Sequence, residues 1–249
     1  MIDTHAHLFN EYYDDIQGIL DKAKSKGIDK VIVAADNIKT CYEVIEHAKK
    51  FDNYYFCLGI HPENVDDSLD ELKQIIEDNK DNPKFVGIGE IGLDYYWTKD
   101  NKDKQIYFFE KQLELAEKYN LPVIIHSRKA SQDVYDILKK FNVKGSMHCY
   151  AGSLEMAKEF IKLGFLIGID GPITFKNNKK GIEVVKEIPI DRLLLETDSP
   201  YLSPEPNRGK QNSPLNLIYI AEKISEIKGI TVEEVIDITT KNAKELFNL

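Results

Sequence analysis

The chain has 249 residues, of which 42% are hydrophobic and 30% charged, a balance that suits one large globular domain and excludes a disordered chain. Its net charge of −9 argues against a protein that coats nucleic acid nonspecifically, because that mode needs many cations to displace counterions. Cys41, Cys57 and Cys149 are odd in number and widely spaced, which argues against a disulfide framework and a cysteine zinc knuckle.

The opening MIDTHAHLFN has neither the basic leader nor the apolar run of a signal peptide, and no later window approaches the ~18 apolar residues of a membrane span. The expectation is a cytoplasmic protein with no membrane partner and no obligate protein partner. Short β-branched or apolar runs then alternate with segments of helical period, the pattern of repeated βα units. Strands are predicted at 1–5, 30–34, 54–58, 85–89, 122–126, 145–148, 165–168 and 192–196. Helices are predicted at 11–26, 39–50, 67–79, 102–119, 131–141, 153–163, 178–187, 214–228 and 232–247. Ser153 reads as an N-cap, and Gly27 and Gly164 as helix stops. Parallel strands need helical crossovers, and eight of them close into a barrel. The expected fold is therefore α/β, a (β/α)₈ TIM barrel, with residues 1–249 as a single domain. The proline-rich stretch 197–214 is predicted to be a long loop after the last strand, at the catalytic face.

The chemistry begins at Asp3-Thr4-His5-Ala6-His7. Alternation along a strand sends His5 and His7 to the same side, where two imidazoles suit a divalent metal. Of six histidines, His126 and His148 fall at the ends of the fifth and sixth predicted strands. Residues at that end of a barrel point into a shared mouth. Glu90 ends the fourth strand in GIGEIGLD, where a buried acid needs a cation or a donor to meet it. Asp198, in LLLETDSPY, completes a set of six that would hold two ions ~3.5–4 Å apart with an activated water between them. Such ligands favour zinc, manganese or iron-like ions over magnesium. His61, after the third strand, either touches substrate, orients a ligand or fixes the turn at Pro62. Cys149 would face away from His148 and is assigned to packing, and His47, on the second helix, to the surface.

With those residues in hand, the chain resembles the TatD family of metal-dependent hydrolases. The matching phrases are IDTHAHL, GIHPE, GIGEIGLDYY, LPVIIHSRKA, MHCYAGS, GPITFKN, LLLETDSPYL and RGK, in family order from residue 2 to residue 210. The resemblance implies a TIM barrel and magnesium-dependent hydrolysis of nucleic-acid phosphodiesters, usually of DNA. It implies that His5, His7, Glu90 and Asp198 bind one metal and Glu90, His126 and His148 the other. Glu196 matches a family acid linked to a further metal; a partner that orients a ligand is the equal reading. Two positions depart from the family pattern: Glu63 stands where many members have a second histidine, and Gln211-Asn212-Ser213-Pro214 where many read RNEP. Both bear on substrate preference.

The expected function is thus a divalent-metal-dependent DNase acting on DNA ends or single strands, using two ions of zinc, manganese or magnesium. Asp198 and Glu90 are the catalytic carboxylates, Asp198 taking the proton of the attacking water. Arg128, Lys176, Arg208 and Lys210 lie in loops bordering the mouth and either hold phosphates or stay solvated. His61 and Tyr95 join the substrate contacts, Tyr95 as part of Tyr95-Tyr96-Trp97, which either stacks on bases or packs on a helix. The alternative is an amidohydrolase or esterase acting on a small cyclic amide, lactone or aminoacyl ester. Such enzymes often carry a carboxylated lysine at the position of Glu90. A non-enzymatic metal-binding protein is a further reading, under which an intact mouth would be unnecessary.

Overall fold

Eight parallel strands follow one another around the sheet in chain order. They are β1 (Ile2–Ala6), β2 (Lys30–Ala34), β3 (Tyr54–Leu58), β4 (Phe85–Asp94), β5 (Val123–Arg128), β6 (Gly145–Met147), β7 (Phe165–Ile169) and β8 (Leu193–Leu195). Helices α1 (Ile16–Ser25), α2 (Ile38–Lys50), α3 (Leu69–Asn79), α4 (Lys102–Tyr119), α5 (Ser131–Leu138), α6 (Leu154–Lys162), α7 (Lys179–Glu187), α8 (Leu217–Lys228) and α9 (Val232–Phe247) surround it. This computed structural model describes residues 1–249. The expected TIM barrel is the fold, and no helix is long and apolar enough to cross a membrane.

Local chemistry explains where the elements begin and end. The second strand, KVIVA, is a β-branched run that suits a sheet buried on both faces. Helix α6 begins at the expected cap, where the Ser153 side chain accepts from the Met156 N–H. Helix α1 starts five residues later than its apolar pattern suggests, because the Asp15 side chain caps the Gly18 N–H and Phe9 to Tyr13 form a turn before it. Helix α9 opens with a reciprocal capping box between Thr231 and Glu234. Its last turn brings Ala243, Leu246 and Phe247 against Ile2, Ile32, Ile124 and Leu194 to form the smaller apolar core. The Thr231→Ala variant should therefore lose about 1 kcal/mol, seen as a lower urea midpoint at unchanged m.

Along three strands and the residues just past them, alternate positions run from that core up to the mouth: Ile124, His126 and Arg128; Leu166, Gly168 and Asp170; Leu194, Glu196 and Asp198; in β6 the buried Ser146 stands two positions before His148. The other two strands that carry candidate ligands need a correction to this rhythm. In β1 the register with β2 shifts between Asp3 and Ala6, so Ala6 sits opposite Val33 and packs in the outer core. In β4 a shift between Ile88 and Ile91 leaves both isoleucines in the outer core and turns Glu90 inward. A bulge re-aims side chains in this way.

The barrel seam is closed by residues of the mouth. Beyond β8, the Asp198 N–H donates to the His5 carbonyl at 3.0 Å and the His7 N–H to the Ser199 carbonyl at 2.6 Å. Thr197 donates from its N–H and its hydroxyl to the buried Asp3 carboxylate at 2.9 and 2.6 Å.

Candidate active site

The strand ends deliver His5 from β1 with His7 just after it, Glu90 and Asp94 from β4, and His126 from β5. His148, Glu196 and Asp198 follow β6 and β8. Glycines make room for them: a Cβ at Gly168 would lie 2.4 Å from Glu196 Oε2, and one at Gly92, with φ +146°, would lie 2.0 Å from the His126 carbonyl. Asp198 itself is held at φ +57°, a conformation uncommon for a residue with a Cβ.

Four of the expected ligands converge at the floor. His5 Nε2 and His7 Nε2 are 3.0 Å apart; each lies 3.4 Å from Glu90 Oε2 and 3.6 Å from Asp198 Oδ1. A tetrahedral ion with bonds of ~2.0–2.1 Å requires ligand separations of roughly 3.3–3.4 Å, so this cradle fits a divalent cation. The tautomers agree. His7 Nδ1 faces the Ala34 carbonyl at 3.0 Å, a pure acceptor, so Nδ1 carries the proton and Nε2 offers its lone pair to the cradle.

The second Glu90 oxygen serves the other side. Oε1 accepts from His126 Nδ1 at 2.8 Å and lies 3.6 Å from His61 Nε2 and 3.8 Å from His148 Nε2. His148 is oriented by Glu196, whose Oε1 accepts from His148 Nδ1 at 3.0 Å and from the Cys149 N–H at 2.6 Å. In His61 the Nδ1 accepts from the Glu63 N–H at 3.2 Å, so the neutral ring carries its proton on Nε2. That makes His61 a donor toward Glu90 rather than a metal ligand. The Glu196→Gln variant should weaken metal affinity by ~10–100-fold, the usual cost of losing a partner that orients a ligand, with little change in the circular dichroism. Unchanged affinity in calorimetric titration would refute that role.

The electrostatics of these side chains point the same way. Burial opposes charge on every ring, yet Glu196, Glu90 and Asp198 hold His148 well above the ordinary imidazole range. His126 rises to about 9 against its burial, through Asp94 and Glu90. Burial and His148, whose ring stacks at 3.6 Å between centroids, push His5 well below its usual value. Glu90 stays well below the carboxylate range despite burial, through the charge on His148 and the hydrogen bond from His126. The carboxylates thus favour positive charge on His148 and His126. Groups that need compensating positive charge here are groups that accept metal.

Above the floor is a cleft of about 380 Å³ whose rim includes Asp36, Glu63, Trp97, Arg128 and Tyr201. The Arg128 guanidinium lies 3.7 Å from the Tyr96 ring centroid and 5.4 Å from that of Trp97. The structure corrects several sequence-based expectations. Tyr95 does not reach the cleft, since its hydroxyl donates to Asp133 at 2.9 Å and its ring is buried; Trp97 is the aromatic at the rim. Arg208 lies over the Phe175 ring at 4.2 Å and beside Glu205, and neither it, Lys176 nor Lys210 lines the cleft. His47 is only 4% exposed, filling a niche between Asn10 and Tyr54 rather than the surface.

Asp94 and Asp170 were missed. Asp94 accepts from His126 Nε2 at 3.0 Å, and alternation from Glu90 through Gly92 was the available signal. Asp170 lies just past the end of β7, at the start of the turn Gly171–Thr174, and only its burial in the folded mouth marks it out.

A TIM barrel with converging imidazoles and carboxylates at its carboxyl-terminal mouth defines a metal-dependent hydrolase. The family model described as TatD related DNase matches residues 2–248, and the chain belongs to the TatD family. It is 45% identical to the uncharacterized metal-dependent hydrolase YabD of Bacillus subtilis, covering 100% of this chain and 99% of that one. Identity with the uncharacterized metal-dependent hydrolase TatD of Mycobacterium tuberculosis is 30%, over 100% and 98% of the two chains. The crystal structure of YjjV, a TatD homolog from Escherichia coli K12, superposes with a TM-score of 0.93 at 30% identity, covering 100% and 98%.

Proposed function

We propose that this hydrolase cleaves phosphodiester bonds of nucleic acid, as a DNase acting on DNA ends or single strands, with residues 1–249 working as one domain. Arg128 carries the reading: it is the one fixed cation on the rim of an otherwise acidic cleft, backed by two aromatic rings. It suits a phosphate next to a stacked base. The description of the matching family model as a DNase supports the same substrate.

Two divalent ions, of zinc, manganese or magnesium, would be held by His5, His7, Glu90 and Asp198 on one side and by Glu90, His126 and His148 on the other. Bound there, they would lower the pKa of a water and stabilise charge on the phosphoryl oxygens. Glu90, with one oxygen toward each half, keeps the halves in register. Asp198 opens on the cleft and accepts the proton of the attacking water. Arg128 holds a phosphoryl oxygen, Trp97 offers a face to a base, and His61 donates toward Glu90 from the rim. The free thiols of Cys41, Cys57 and Cys149 suit the reducing cytoplasm.

The test is a parallel assay with single-stranded DNA, an aminoacyl-tRNA and a dihydropyrimidine. Release of nucleotides from DNA is the expected result, with the KM of Trp97→Ala raised roughly 5–10-fold by the loss of one stacking contact. Turnover confined to the ester or the cyclic amide would overturn the nuclease assignment in favour of the amidohydrolase or esterase reading.

A further inference from the structure

A third cluster lies beside the two halves of the mouth. Cys149 adopts φ +42° just after β6. This left-handed turn brings its thiol back toward the mouth, whereas an extended strand would point it outward into packing. Cys149 Sγ, one carboxylate oxygen of Asp170 and one of Asp198 all lie within 4.8 Å of one another. Asp170 is 5% exposed, and its Oδ2 has no hydrogen-bond partner. A buried carboxylate oxygen in that state calls for a donor or a cation. The neighbouring ring does not supply one: His148 gives Nδ1 to Glu196 and directs Nε2 toward Glu90 and Asp198.

We propose that Cys149, Asp170 and Asp198 form a third cation site, for a thiophilic divalent ion of the zinc, cobalt or cadmium type. The donor set selects the ion: a thiolate beside carboxylates disfavours magnesium and calcium, which seek oxygen alone. Binding releases the thiol proton to solvent as the sulfur–metal bond forms. The inference rests on the metal-dependent reading of the mouth only through Asp198, which the third site shares with the cradle of His5 and His7. An ion at Cys149 therefore draws on a carboxylate that the cradle also uses, and excess zinc acts as an inhibitor.

The measurement is a cobalt(II) titration of the metal-stripped full-length protein, followed by near-ultraviolet absorbance, where a thiolate–cobalt bond gives a charge-transfer band that histidine and carboxylate ligands do not. The band is expected in the native chain. It should vanish in Cys149→Gly, chosen because glycine accepts the left-handed turn. In Asp170→Asn the cobalt concentration needed to form it should rise at least about 10-fold. Cobalt uptake without the band would overturn the third site while leaving the nuclease reading intact. A band that forms unchanged in Asp170→Asn would also overturn it, by assigning the signal to a thiol outside a built site. No uptake of cobalt at all would remove both readings.

Discussion

The Glu90→Gln variant is expected to lose at least about 10³-fold in kcat/KM, since loss of a mere orienting partner already costs ~10–100-fold and Glu90 faces both halves of the mouth. One of its oxygens lies 3.4 Å from both His5 and His7, and the other accepts from His126 at 2.8 Å. Glutamine has the same shape but replaces one acceptor oxygen with an NH₂ donor, which would point its hydrogens at ring nitrogens or at a cation. It also removes the charge that offsets the surrounding histidines, so the metal-free variant should unfold at a lower temperature than metal-free wild type. Steady-state kinetics, metal content by plasma emission and circular dichroism together decide the matter. Near-native turnover with full metal content would show that the mouth works without the Glu90 carboxylate.

Removal of divalent ions should act at least as strongly on turnover. After dialysis against a chelator, hydrolysis should fall to background, and addition of manganese, zinc or magnesium should restore it selectively. Binding to the native state alone also raises stability, by about 2.7 kcal/mol when the ion is at 100 times its Kd. For a chain of this length that corresponds to roughly 5–10 °C in Tm. Scanning calorimetry across a metal titration checks the second number independently of any substrate. Activity that survives exhaustive chelation would remove metal from the mechanism.

The barrel was legible in the sequence because buried parallel strands read as short apolar runs, and those runs punctuate helical segments with little ambiguity. The candidate ligand positions were legible for a different reason: imidazoles are rare here, three of them end predicted strands, and His7 follows two residues after the first. What stayed hidden depends on backbone geometry that residue types do not encode. The bulges in β1 and β4 shift which side chains face the barrel interior. The left-handed turn at Cys149 reverses a side chain that strict alternation sends outward. Tyr95 and Trp97 stand two residues apart in one aromatic run, and only the packing of Tyr95 against Asp133 separates the buried ring from the exposed one. The burial of His47 depends on contacts with Asn10 and Tyr54, distant in sequence from one another.

The seam between β1 and the segment after β8 carries one more consequence. The stave at the amino terminus and the last stave are clasped by Asp3, His5, His7 and Asp198, the same short stretches that carry candidate metal ligands. Starving the protein of metal should therefore unlatch the two ends of the cask together. Amide protons of residues 3–7 and 197–199 would exchange first, and a protease would find its earliest foothold there.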